Sequence, residues 1–128
     1  MQHARLTSSD MTGVNLDRAV ARKAVANNVN LTGASLEQTN LNNARRGQSI
    51  FDNATISYAG FIRVEASRAG FDGAQIAQSD FCGADLRRAR FTGATLRGNR
   101  FSLANTDEAT FADVVVTGNF MPDGRVAE

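Results

Sequence analysis

Side chains able to do bond-breaking chemistry are scarce in this chain. His3 is its one histidine and Cys82 its one cysteine. A metal ion needs several ligands drawn together, and these two stand near opposite ends of the sequence. The same separation leaves no Ser–His–Asp or Cys–His set, because a lone terminal histidine has no companion to orient it. Asp80, Asp85 and the pair Asp107–Glu108 are carboxylates, yet general acid–base work needs a setting that shifts their pKa, and all four fall at positions expected to face water. The glycines keep a fixed spacing rather than the strand–loop–helix context of a phosphate-binding loop. The sequence therefore predicts no enzyme, no catalytic residue, no bound cofactor and no metal. Recognition chemistry is better represented. Arg45, Arg46, Arg68, Arg87, Arg88 and Arg90, with Arg5, carry planar guanidinium groups that grip carboxylates and phosphates. What they can grip together depends on the elements that carry them.

Those elements follow from a period of five. Large apolar residues recur at Leu6, Met11, Leu16, Leu31, Leu36, Leu41, Phe51, Ile56, Phe61, Phe71, Ile76, Phe81, Leu86, Phe91, Leu96, Phe101, Phe111 and Val116. Two places before each centre stands a small residue, among them Ala34, Ala54, Ala74, Ala84, Ala94 and Ala104. Repetition of this kind dictates architecture before any other signal. A helix of about 3.6 residues per turn would scatter the large column round its cylinder, and a strand of period 2 would send it to alternate faces. The chain must turn every five residues. Four short extended sides then close a square coil of about twenty residues, and stacked coils pair at the strand spacing of about 4.8 Å. The corners have their own mark. Gly13, Gly33, Gly73, Gly83, Gly93, Gly98 and Gly118 all stand two places after a centre, as do Asn28, Asn43 and Asn53. These residue types suit the positive φ of a type II turn.

The segments Ala34-Ser35-Leu36, Ala84-Asp85-Leu86-Arg87-Arg88, Ala89-Arg90-Phe91-Thr92-Gly93 and Ala94-Thr95-Leu96-Arg97-Gly98 resemble the A-(D/N)-L-x-x unit of the pentapeptide-repeat family, and the resemblance runs along essentially the whole chain. It implies an all-β fold, a right-handed quadrilateral β-helix. About six coils of about twenty residues are expected, over residues 1–121, with 122–128 as a short C-terminal tail.

Residues twenty apart stack in such a coil. One side collects Met11, Leu31, Phe51, Phe71, Phe91 and Phe111; the opposite side collects Ala21, Leu41, Phe61, Phe81, Phe101 and Met121. The expected core is thus two facing phenylalanine stacks, flanked by an aliphatic side that includes Leu96. The fourth side reads Leu6, Ala26, Arg46, Ala66, Leu86 and Thr106. An unpaired charge is costly in a dry core, so Arg46 is expected to turn outward and this side to be the least regular. Asn99 and Asn119 fall in the small column and need partners there, which a ladder from coil to coil would supply.

On the outside, the fourth side carries Arg45, Arg46, Arg68, Arg87 and Arg88, with Arg90 round the next corner, interrupted by Glu65, Asp85, Asp107 and Glu108. This is the first candidate partner surface. Its plainer reading is a solvated face with ion pairs such as Glu65–Arg68 and Asp85–Arg87. Ile62, Cys82 and Leu103, with Val20, give a second, apolar candidate surface on the third side.

The chain has 128 residues and a formal charge of +1. Near-neutrality disfavours a nucleic-acid binder, which is normally basic, and the arginine side lacks the interleaved aromatics of single-strand binders. Nucleic acid is left as a partner only through that arginine side. One cysteine fits a reducing compartment, and no secretory leader or apolar stretch long enough to span a bilayer is visible. The expectation is a cytoplasmic bacterial protein with no membrane partner. End coils expose strand edges. Either Phe120, Met121 and Pro122 plug the last coil, or an end docks on another copy, giving an end-to-end homodimer, or on another protein.

The function expected is a non-catalytic scaffold that binds a protein through a side or an end of the rod. The resemblance supplies an alternative, since some family members bind DNA gyrase as duplex mimics and confer resistance to quinolones or toxins. This chain departs from that subgroup in lacking a strongly acidic surface, an inserted loop and an evident C-terminal dimerisation module. A bacterial effector or adaptor module is a further alternative.

Overall fold

The structure, a computed structural model, describes residues 10–45, 47–120 and 126–127. Its backbone is a coil whose rungs pair in parallel with the residue twenty places on. Side one pairs Asp10, Asn30, Ile50, Gly70, Arg90 and Thr110 in succession; side three pairs Val20, Asn40, Gly60, Asp80 and Arg100; side four pairs Val25, Arg45, Glu65, Asp85 and Asn105. Side two is the most extended. Its strands β1 (Ser35–Glu37), β2 (Thr55–Ser57), β3 (Gln75–Ala77), β4 (Thr95–Arg97) and β5 (Val115–Thr117) form one parallel sheet in that order, and Asn15 bridges to Ser35 beneath it. Four turns separate β1 from β5, and the Asn15 bridge adds one. The described coils are thus fewer than the expected six, because that count included residues 1–9, which lie outside the described part.

The five-residue period works as the side chains demand. The outward residue Gly70 places both its backbone groups on the coil before it: Phe51 N–H donates to Gly70 C=O at 2.6 Å, and Gly70 N–H donates to Ser49 C=O at 2.9 Å. The small residue closes the corner, as where Ala54 N–H donates to Phe51 C=O at 3.0 Å. Every fifth residue from Gly13 to Gly118 has positive φ, between 51° and 71°, the mark of position i+2 in a type II turn. This includes Arg18, Lys23, Tyr58, Arg63, Arg68, Arg88 and Leu103. The stacked ladder therefore imposes the left-handed conformation even on residues that disfavour it.

The interior is dry and aromatic. Phe51, Phe71, Phe91 and Phe111 stack with centroids 4.9–5.0 Å apart and planes within 4°. Phe61, Phe81 and Phe101 stack opposite at 4.6 and 5.0 Å. The two columns meet edge to face at 6.0–6.5 Å, the arrangement a ring quadrupole favours. Leu86 and Leu96 are buried with them, and Phe111 is half-buried in the last coil.

Polar residues in the small column are built into the ladder. Asn99 Oδ1 accepts Ser79 N–H at 2.9 Å and its Nδ2 donates to Ile76 C=O at 2.9 Å; Asn119 repeats both bonds one coil on, to Asn99 N–H and Leu96 C=O, each at 2.8 Å. Ser49 does the same on side four, with Val29 N–H and Ala26 C=O. The amides of Ala59, Ser79 and Asn99 donate upward to these side chains, which leaves side two longer strands and a relaxed corner.

Two expectations change. Side four is not less regular: Ala26, Ala66 and Leu86 are buried and their amides donate to Arg45, Asp85 and Asn105 C=O at 2.8 Å. Backbone pairing, not the size of the interior side chain, holds this side in register. Arg46 itself lies outside the described residues. At the C-terminus, β7 (Val126–Ala127) returns antiparallel against β6 (Asn119–Phe120), so the tail adds a short pairing of its own. Met121 and Pro122, named above as a plug, lie outside the described part.

Candidate partner-binding furrow

The arginine side is hollowed. Along side four, Asn27, Gly47, Ser67, Arg87 and Asp107 stand one above another, beside the corner column Asn28, Gln48, Arg68, Arg88 and Glu108. Two open hollows of about 540 and 520 Å³ adjoin, sharing Gln48, Ser67 and Arg87. The short side chain of Ser67 lines both, and Gly47, with no side chain, lines the second. Arg68 and Arg88 line the first, with Asp107 and Glu108; Glu65 and Asp85 line the second, with Asn27 and Asn28. Asn27 Oδ1 accepts Gly47 N–H at 3.0 Å and pins the lower end.

The arginines are not equivalent. Arg87 is bidentate on Asp85, at 2.9 and 2.8 Å. That bond holds the Asp85 carboxyl below its ordinary range, chiefly through the guanidinium hydrogen bond, and raises Arg87 in turn. Arg88 pairs with Glu108 at 2.7 Å and Arg45 with Glu65 at 3.4 Å. Glu65 therefore meets the arginine one coil away, not Arg68 as the sequence suggested, because stacking at twenty residues brings column neighbours closest. Arg68 has no carboxylate within 4.0 Å among the described residues and lines the furrow with its charge unmatched. Arg90 is round the corner on side one, 3.3 Å from Asp72 and 4.0 Å from Asp52, lying over Gly70, where a Cβ would meet its Nη2 at 2.6 Å. Of the proposed arginine set, the furrow gathers Arg68, Arg87 and Arg88. Arg45 stands beside it, Arg90 is elsewhere, and Arg5 and Arg46 lie outside the described residues.

Sequence reasoning missed Gln48, Ser67, Asn27 and Gly47 as lining. Reading the outward columns at twenty-residue spacing would have found them. On side three, Val20 and Leu103 are exposed, Leu103 by 80%, while Ile62 and Cys82 are half-buried. This second surface is a pair of separate apolar spots rather than one patch. No three metal-ligating side chains converge among the described residues, and no helix there is long and apolar enough to cross a membrane.

Comparison with known proteins bears on the fold. The family model for Pentapeptide repeats (8 copies) matches residues 1–38, 27–69 and 69–105. Among solved structures, the chain is similar to a pentapeptide repeat protein, Rfr23, from the cyanobacterium Cyanothece 51142, at 19% identity and TM-score 0.59, covering 87% of this chain and 90% of that one. It is similar also to a trypsin-treated variant of QnrB1, a plasmid-mediated fluoroquinolone resistance protein, at 16% identity and TM-score 0.69, covering 92% of this chain and 72% of that one. No curated protein sequence matches it. With the repeat matched over most of its length and the square coil formed as the repeat requires, this chain belongs to the pentapeptide-repeat family.

Proposed function

We infer that this protein is a non-catalytic scaffold that holds an extended, acidic segment of a partner protein in the side-four furrow. The observation that carries this reading is Arg68: an unmatched guanidinium on the wall of a shallow polar hollow, between Gln48 and Arg88. An extended chain fits an open trough better than a small molecule does, since small ligands favour enclosed, largely apolar pockets. A partner carboxylate would meet Arg68 directly, without first breaking an ion pair as it must at Arg87 or Arg88. A cytoplasmic setting goes with this reading, as a single cysteine needs no oxidising compartment.

The test is capture from the source cell with immobilised protein, followed by titration of the purified partner. Arg68→Glu should weaken binding at least tenfold, while Arg63→Glu, on side three, should leave it unchanged. Equal loss from both substitutions would place binding elsewhere. A second reading, contact with DNA gyrase, is favoured by the shape shared with QnrB1 and opposed by a formal charge of +1, where a duplex mimic needs an acidic surface. A supercoiling assay with and without quinolone separates the two.

A further inference from the structure

The outer face of the side-two sheet is self-complementary, and we propose that it joins two copies of this chain side by side, with their long axes antiparallel. Glu37 in β1 and Arg97 in β4 occupy the same register column, through Ser57 and Ala77. Both are exposed, and neither has an opposite charge within 4.0 Å among the described residues. They stand equally far from the midline between β2 and β3. A two-fold axis along the strands at that midline sets Glu37 of each copy over Arg97 of the other, twice. It sets Ser57 over Ala77, Thr55 over Gln75 and Ser35 over Thr95, so uncharged side chains fill the centre between the charge pairs. This is the isologous form of a C2 contact.

The corners bordering the sheet agree with the same operation. Arg18 falls opposite Gly118, which has nothing within 4 Å of where a Cβ would stand, and Gly33 falls opposite Gly93, equally open. Tyr58, 66% exposed, falls opposite Gln78, whose amide is drawn aside over Gly98. None of these corner pairs sets two like charges against each other, and Arg18 meets an open glycine. Rotating about the coil axis instead, with the rods parallel, would set the Glu37 column against the Ser35 column and match no charges. The face is about four residues wide and six rungs tall, at a strand spacing of about 4.8 Å, so each copy buries only about 350 Å². That lies below the stable interface range, and the pair should be weak, with a dissociation constant of about 100 μM or more. Sides two and four are opposite, so both furrows stay open, one on each outer flank.

Sedimentation equilibrium of the whole chain from about 10 to 1,000 μM tests this, with circular dichroism confirming an unchanged fold. Wild-type protein should pass from monomer to dimer. Glu37→Arg alone and Arg97→Glu alone should each raise the dissociation constant at least tenfold, because each sets like charges opposite each other at both ends. An equimolar mixture of the two variants should associate again, as a heterodimer whose charges all match. A wild-type protein that stays monomeric at 1,000 μM overturns the proposal. So does a dimer indifferent to both reversals, which is the result an end-to-end contact gives, and so does a mixture no more associated than its components. A furrow partner lost on Arg68→Glu bears only on the earlier reading.

Discussion

Replacing Asn99 tests whether the polar ladder inside the coil is structural in the way its hydrogen bonds indicate. The side chain is fully buried. It accepts Ser79 N–H and donates to Ile76 C=O, both at 2.9 Å. Asn99→Ala removes both partners and gives the two backbone groups no water in exchange. Each orphaned buried group costs about 1–3 kcal/mol, so a loss of roughly 2–6 kcal/mol is expected. Asn99→Ser should recover most of it. Ser49 already makes the same two bonds on side four, accepting Val29 N–H at 3.2 Å and donating to Ala26 C=O at 2.6 Å. The order of stability should therefore be Asn, then Ser, then Ala, by urea unfolding followed through circular dichroism. Amide exchange gives a local readout: Ser79 N–H should be protected in the native protein and in Asn99→Ser, and exchange faster in Asn99→Ala. If alanine and serine destabilise equally, or if alanine costs less than about 0.5 kcal/mol, the ladder is not holding the corner.

Phe71→Ala should cost about 3–5 kcal/mol, because ring partners 4.9 Å away on both sides lose their contact at once; Phe71→Leu should cost clearly less, and chemical denaturation measures both. Lys23→Gly should gain about 0.5–1 kcal/mol, since Lys23 is an exposed corner held at φ 59° where glycine carries no steric penalty; a loss would show that the lysine has a contact of its own. Acid should destabilise the coil. The Ser35 hydroxyl and then the Glu37 amide hold the Asp17 carboxyl below its ordinary range, as the Arg87 guanidinium does for Asp85. A depressed folded pKa adds stability above the unfolded value, near 3.9 for Asp, and that stability is lost as pH falls through the folded value. Stability should hold steady from about pH 7 to 5 and decline below about 4, and Asp17→Asn should make the decline shallower.

The coil was legible because its rule is local and repeats: a large residue every fifth place, a small one two before it, and a corner two after. The stacked phenylalanines and the asparagine ladder both follow from counting by twenty. Side four was misjudged for a related reason. The charge of Arg46 predicts irregularity there, whereas the backbone bonds of Arg45, Glu65 and Asp85 run from coil to coil without needing large side chains beneath them. The corners were half legible. Glycine and asparagine announced positive φ, but Tyr58 and Leu103 adopt it too, and no local preference could have said so. The furrow was less visible still, because a hollow depends on which outward columns are short, as at Gly47 and Ser67, and not on any residue's chemistry.

That distinction governs where function resides in a rod of this kind. The backbone is nearly the same in every coil, so position along the axis is written only in the outward columns, and a charge finds its usual partner one coil away. Arg45 meets Glu65, Arg88 meets Glu108 and Arg100 meets Asp80 in this manner. Exposed pairs of that sort add little stability. Other charges, Arg18, Lys23, Arg63 and Asp113 among them, also lack such a partner among the described residues, so what sets an unmatched charge apart is the surface beside it. Arg68 is unmatched on side four, while Glu37 and Arg97 are unmatched on side two at mirrored heights. The first has a hollow beside it and the second two have a flat sheet between them. One arrangement suits a flexible acidic chain and the other a rigid copy of the same surface. Because the two faces are opposite, occupying either leaves the other accessible, so a dimer would present two furrows running in opposite directions. A partner with two acidic segments would then bind the dimer more tightly than the monomer only if its linker could span the pair of rods.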